Sequence, residues 1–435
     1  MLGVLRQPRL GRLVVAGLLS EVGDWLLMIA LPLFVLDLTG SALVTASVFV
    51  LELVPTVVFG PIAGVLVDRY ERWRLMTGVA SAQAVCLLPL LAVESGNELW
   101  IVYAVVVVES VLGSLIEPAR NAAAAVLLPS EDLMAMNGLL GITSSIARLV
   151  GGSLGGLIYG LTDLGGVILA DAGTFLVAAL LLASRPTRPR QGAAVPRRES
   201  MPDRGAVAGI ASISLVRGWL DGLAVVARTP MLRRVLAVVS CMALAQGAFV
   251  VLFVLFVLRD LGGDAADVGI LRGVQAIGAI AGGALLGILI RRLDATRLLT
   301  VSLAAFGVLS LLTWNLPLLS TAFELYVGLF IAVGFPGLAS MTGLMTLLQK
   351  HSDDSNRGRI LSTFFAVYGG VQALGMLLAG AVGTGTGLSI TLQVQGALYL
   401  VAGALALRLG SGSAAVGTQS PTSAAVPEVI RSNSA

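Results

Sequence analysis

Charge is scarce in this chain. Of its 435 residues only 12% are Asp, Glu, Lys or Arg, while 57% are hydrophobic and the mean hydropathy is +0.93. A soluble globular domain carries about 25% charged residues, so a water-exposed surface of ordinary size is excluded and a bilayer is the expected surroundings. Lysine is all but missing. Lys350 is the only one and sits in Leu347-Leu-Gln-Lys-His351 without a glycine cradle, which excludes a GxxxxGK[ST] phosphate loop. The single histidine, His351, cannot build a metal site alone, and the two cysteines, Cys86 and Cys241, lie in apolar runs with no CxxC spacing. No catalytic constellation is present, so neither an enzyme nor a metal or other cofactor is expected, and no nucleic-acid partner. Arg6, Arg9 and Arg12 precede an apolar run from Leu13 that is too long for a signal peptide and lacks a small-residue cleavage site.

What is abundant is glycine, 52 residues, as suits helices that approach closely inside a membrane. About 20 apolar residues cross the hydrocarbon layer as a helix. Twelve such segments begin near positions 13, 42, 75, 99, 133, 165, 234, 268, 297, 321, 357 and 388. The expected fold is therefore an all-α polytopic membrane protein of twelve transmembrane helices in two six-helix halves. The halves would span 13–184 and 234–408, flanked by an N-terminal segment 1–12 and a disordered tail 409–435 rich in Ser, Ala, Thr and Pro. Between them, 185–233 is rich in arginine and carries Pro186, Pro189, Pro196 and Pro202. Its later part, Ser212–Ala227, has the period of an amphipathic helix lying on the bilayer surface. If the N-terminus is cytoplasmic, all of the 28 Lys/Arg except Arg148, Arg259 and Arg272 fall on the cytoplasmic side. The positive-inside rule then places both termini in the cytoplasm of a cell-membrane protein.

The two halves share a sequence signature. Gly64-Val-Leu-Val-Asp-Arg-Tyr-Glu-Arg-Trp-Arg-Leu75 aligns with Gly287-Ile-Leu-Ile-Arg-Arg-Leu-Asp-Ala-Thr-Arg-Leu298, 223 positions on. Five of the twelve positions are identical and three more are conservative (Val/Ile twice, Glu/Asp once). Duplicated halves of this kind are a build of secondary transporters. Asp68, Arg69 and Arg72 resemble the signature loop between helices 2 and 3 of the major facilitator superfamily, roughly G-x-L-a-D-r-x-G-r-k-x-x-l. Here Glu71 stands where glycine is usual and Trp73 where lysine is. Gly23-Asp-Trp25, Leu38-Thr-Gly-Ser41, Glu117-Pro-Ala-Arg120 and Asn356-Arg-Gly-Arg359 are similar to the macrolide-efflux and enterobactin-exporter branch. Gly151-Gly-Ser-Leu-Gly-Gly156 is similar to the antiporter helix-5 motif GPxxGG, with Gly152 in place of the proline. The resemblance covers about residues 13–408 and implies a drug:proton antiporter working by alternating access.

Charged groups inside helices cost about 2.5–3.5 kcal/mol each on insertion scales and usually face a cavity. Glu21 and Asp24 share one face of helix 1. Glu52, Glu109, Arg148 and Asp171 lie in helices 2, 4, 5 and 6, whereas the second half offers Arg272 and Glu324. An acid taken out of water favours its protonated form, so Asp24, Glu52, Glu109 and Glu21 are the candidates for proton coupling, Asp24 first because the branch resemblance includes it. Glu109 is expected to be neutralised by Arg148. At the cytoplasmic ends, Asp68, Arg69, Arg72, Glu117 and Arg120 are candidates for a gate, with Arg72 or Arg69 pairing to Glu117; the alternative is static anchoring of topology. Trp25, Gln246, Gln275, Gln372 and Tyr368 are weaker candidates for lining a substrate cavity, against ordinary packing roles. The expected protein is a monomeric exporter of an amphipathic small molecule, with lipid, substrate and protons as its partners. A proton-linked nutrient importer and a non-transporting scaffold or sensor are the rival readings.

Overall fold

A computed structural model describes residues 8–128, 133–184, 229–289, 294–350, 352, 357–383 and 387–411. The described residues are helical, in the order α1 Pro8–Thr39, α2 Ala42–Arg69, α3 Arg72–Cys86, α4 Leu99–Leu127, then one long run Leu133–Ala183. In the second half follow α7 Pro230–Leu255, α8 Ala265–Leu289, α9 Ala295–Asn315, α10 Phe323–Lys350, α11 Arg357–Val382 and α12 Gly387–Ser411. Eleven of these runs are long and apolar enough to cross a membrane, counting the 3-10 turn Leu88–Ala92 as the continuation of α3. The long run is two helices. Asp163 has φ 58 and ψ −167, the one positive φ outside glycine among the described residues. Gly151 before it and Asp171 and Thr174 after it all meet α1 at Val22–Gly23, so the chain reverses at Asp163. The parts before and after it are α5 and α6, and the count becomes the twelve expected.

Local chemistry explains the turns. Gly40 and Gly262, the glycines with positive φ among the described residues (64° each), close α1 and the turn Phe256–Asp260 that continues α7, at nearly equivalent places in the two halves. After Gly40, the Ser41 hydroxyl caps α2 by accepting from the Val44 amide at 3.3 Å. The duplicated charged turn is a capping device. Glu71 accepts from the Trp73 and Arg74 amides at 3.2 and 2.9 Å, and Asp294 accepts from those of Thr296 and Arg297 at 3.0 and 3.1 Å. Their Glu/Asp exchange keeps a carboxylate at both helix starts, where it also meets the positive end of the helix dipole.

Arg12 donates to the Ser184 carbonyl at 3.0 Å and Arg234 to that of Arg408 at 3.4 Å, so each half ties its first helix to its last at the end carrying the termini. The halves meet through α5 against α8 and α2 against α11. How they meet differs at the two ends. At the end away from the termini, one apolar core joins both halves, with Leu33, Leu36, Ala42 and Phe49 packed beside Phe253, Phe256, Val268 and Ala379. At the termini's end the cores are separate. Leu10, Leu13, Val67 and Ala123 belong to the first half, and Val235, Leu299, Leu347 and Phe364 to the second. Among the described residues the packing is sealed on one side and divided on the other. The stretch 185–228, including the expected amphipathic helix, and the tail beyond 411 lie outside the described residues.

Candidate functional site: an acidic cavity in the first half

A cavity of about 450 Å³ lies within the first half, lined from α1, α2, α3, α4 and α6. Its extent suits a small molecule. Among the described residues, five carboxylates line it, Asp24, Glu52, Glu109, Glu117 and Asp171, and no arginine or lysine does. The remaining lining is apolar or weakly polar, including Leu27, Met28, Val105, Ser110 and Ser114. Helical spacing sets this up. Asp24, Leu27, Met28 and Leu31 occupy one stripe of α1, and Val105, Val106, Glu109, Ser110, Gly113 and Glu117 one stripe of α4.

The acids are held differently. Glu109 accepts from the Gln83 amide nitrogen at 2.5 Å, and its other oxygen, like the Gln83 carbonyl, is buried without a partner. Asp171 is wholly buried. It takes one long hydrogen bond of 3.5 Å from the Thr174 hydroxyl, and its second oxygen has no partner. Gly23 makes room for it, since a Cβ there would run into the Asp171 carboxylate and the Thr174 hydroxyl. Asp24 and Glu52 present their side chains to the cavity without an ion pair among the described residues. An acid in a low-dielectric cavity with orphaned oxygens is a group that gains from a proton or a cationic ligand.

Several expected contacts are replaced by others. The pair anticipated between Glu109 and Arg148 is not made, because α3 supplies Gln83 at the depth of Glu109 while Arg148 turns to Trp25, 5.9 Å above its ring centre. Neither Arg69 nor Arg72 pairs with Glu117, which lines the cavity instead. Arg120 pairs with Glu21, its guanidinium packed where Gly17 leaves space on α1. Both partners belong to the first half, so this pair fastens α1 to α4 and does not latch the halves together. Glu21, Arg120 and Trp25 are absent from the cavity lining. The Asp68 side chain lies outside the described residues, as do Arg291 and Arg292.

The four candidates from the second half do not line this cavity either. Gln246 accepts from the Tyr399 hydroxyl at 3.1 Å, and Gln275 is buried with its amide nitrogen unpartnered. Tyr368 stacks near Phe364 at 6.0 Å, and the Gln372 backbone carbonyl abuts Gly247. Asp171 and Gln83 line the cavity without having been among the candidates. A charged residue within an apolar run marked Asp171, whereas nothing in the sequence distinguishes Gln83 from any other helical glutamine.

This arrangement has relatives. Macrolide efflux protein A of Streptococcus pyogenes is 24% identical over 386 residues, covering 88% of this chain and 91% of that protein. The multidrug efflux pump Tap of Mycolicibacterium fortuitum is 26% identical over 409 residues, 91% of this chain and 94% of the pump. Among solved structures, a bacterial homologue of the iron transporter ferroportin in its inward-facing state superposes with a TM-score of 0.70 at 16% identity, over 94% of this chain and 99% of that one. Its outward-facing state gives 0.56 over 92% and 99%. The profile of transmembrane secretion effectors matches residues 2–428, nearly end to end. The chain therefore belongs to that family of the major facilitator superfamily, as a multi-pass transporter of the cell membrane and not an enzyme.

Proposed function

We propose that this protein exports amphipathic small molecules bearing a positive charge, in exchange for protons, by alternating access between its halves. One observation carries the reading: a cavity of about 450 Å³ whose walls, among the described residues, hold five carboxylates and no basic residue. Such a wall attracts a cation and repels an anion, and its apolar stripes would hold the rest of an amphipathic molecule. The same carboxylates can take protons when the substrate leaves, so that each ligand's departure favours the other's binding. The arginine distribution supports placing the termini and the divided end in the cytoplasm. On that placement the conformation described is loaded from the cytoplasm or the inner leaflet. The efflux names of the relatives agree with export. Asp24 is the leading proton carrier and Glu52 the next.

Equilibrium binding of ethidium to the purified protein, compared with a neutral and an anionic dye of similar size, tests the charge preference. Ethidium should bind at least tenfold more tightly than either and be displaced as pH falls. Equal affinity for all three, or a preference for the anion, would overturn the reading.

A further inference from the structure

We propose that Arg148 of α5 and Arg272 of α8, together with Trp25 of α1, form a second binding site that takes a carboxylate or comparable oxyanion where the two halves meet. The guanidinium carbons of Arg148 and Arg272 lie 5.9 and 6.0 Å from the centre of the one indole ring, and Arg272 is also 5.0 Å from that of Phe249. One arginine therefore comes from each half, and the two cannot be more than about 12 Å apart. Close helix packing sets them there. Gly151 lets α5 touch α1 at Val22 and Trp25, and Gly152 and Gly273 let α5 and α8 approach backbone to backbone.

Neither arginine has an ion pair or a hydrogen bond among the described residues, and the Arg148 Nε is buried without a partner. The Arg272 side chain borders a small space beside Met28, Phe49 and Phe253 that holds about one water in this conformation, so the anion is taken up as the two halves part there. Two like charges at membrane depth, one on each half, repel each other and have no counter-ion among the described residues. With no hydrogen bond or ion pair of its own among the described residues, each guanidinium keeps its fork of N–H donors free, and that fork matches a carboxylate. Met28 borders both this space and the acidic cavity, but no charged residue is shared between them. The site therefore stands independently of the cation reading.

The oxyanion could be a free ion or the anionic end of an amphipathic molecule. The purified protein in nanodiscs, titrated with sodium acetate and with sodium benzoate in sodium chloride at constant ionic strength, distinguishes them through intrinsic tryptophan fluorescence. Trp25→Phe serves as the blank for the four other tryptophans. The wild-type signal should change saturably. Comparable affinities assign the site to a free anion, and benzoate at least tenfold tighter assigns it to an amphipathic carboxylate. Arg148→Gln and Arg272→Gln should each weaken binding at least tenfold. The two Arg→Lys variants, which keep charge and lose the fork, should lie between them and the wild type. A monodisperse wild-type protein with no saturable response, or an unchanged response in the Arg148→Gln/Arg272→Gln double variant, refutes the site. Neither result bears on ethidium binding, so the two readings fail separately.

Discussion

The sealed end depends on helices of the two halves touching at backbone distance, and Gly156 is the place to perturb it. A Cβ built there would collide with the Ala265 carbonyl oxygen, with the Ala265 carbonyl carbon at 2.9 Å and the Gly269 Cα at 3.1 Å. The obstruction is backbone on the opposing half, which cannot rotate away as a side chain could. Gly156→Ala should push α5 from α8 and destabilise the conformation in which that end is closed. Overpacking of this kind typically costs about 1–3 kcal/mol. At about 1.4 kcal/mol per tenfold, the balance between the two access states should move by roughly five- to 150-fold toward opening at that end. The gain of about 1 kcal/mol from replacing glycine in a helix is common to both states and cancels. Gly160→Ala on the same helix meets nothing within 4 Å and is the control. Spin labels at Asp37 on α1 and Asp264 before α8, read by pulsed electron resonance in nanodiscs, would report the separation. A distance distribution unchanged in Gly156→Ala, or shifted equally in Gly160→Ala, would refute the packing argument.

Removing the helix caps should destabilise without disabling. Glu71→Ala and Asp294→Ala should each lower stability by about 0.5–2 kcal/mol, seen as a lower melting temperature, with transport retained at permissive temperature. Glu21→Gln leaves the buried Arg120 guanidinium uncompensated and should cost about 3–5 kcal/mol at most, less to the extent that water reaches the pair. Because both partners sit in one half, the melting temperature should fall while the spin-label distances between halves stay put, and a shifted access equilibrium would restore a gating role. Asp68→Asn should slow transport with insertion and expression largely intact, and wild-type rates in that variant would remove Asp68 from the gate. Deleting about ten residues within 186–205 should leave ethidium affinity unchanged, since a basic, proline-rich segment without an apolar stripe has no means to form a substrate site.

Much of this architecture is written in apolar run lengths, because a bilayer demands about 20 residues per crossing and allows little else. Even the reversal at Asp163 is legible, as the polar interruption before the segment beginning near 165. The glycines of 151–156 announced close packing, and the structure shows Gly152 and Gly156 against α8, and Gly151 and Gly155 against α1. Pairings were harder. Periodicity tells which face of a helix a residue occupies, not which neighbour stands opposite at that depth. Glu109 was therefore matched to Arg148 on the helix next in sequence, when Gln83 of α3 is its actual partner. Glu21 and Asp24, three apart on α1, share a face and still diverge, one to Arg120 and the other to the cavity. The glutamines of the second half were chosen as polar groups in apolar helices. Tyr399 takes up Gln246, and Gln275 is buried, so polarity alone did not place them at the cavity.

The most direct test of proton-driven export uses everted membrane vesicles, with ethidium as the substrate and a pH gradient, acid inside, as the only driving force. The wild type should accumulate ethidium against its gradient and lose that accumulation when nigericin collapses the pH difference. Asp24→Asn should bind ethidium and exchange it passively but accumulate none. Accumulation that survives nigericin in the wild type, or persists with the pH gradient in Asp24→Asn, would contradict the account, and in the latter case Glu52 would become the carrier to examine.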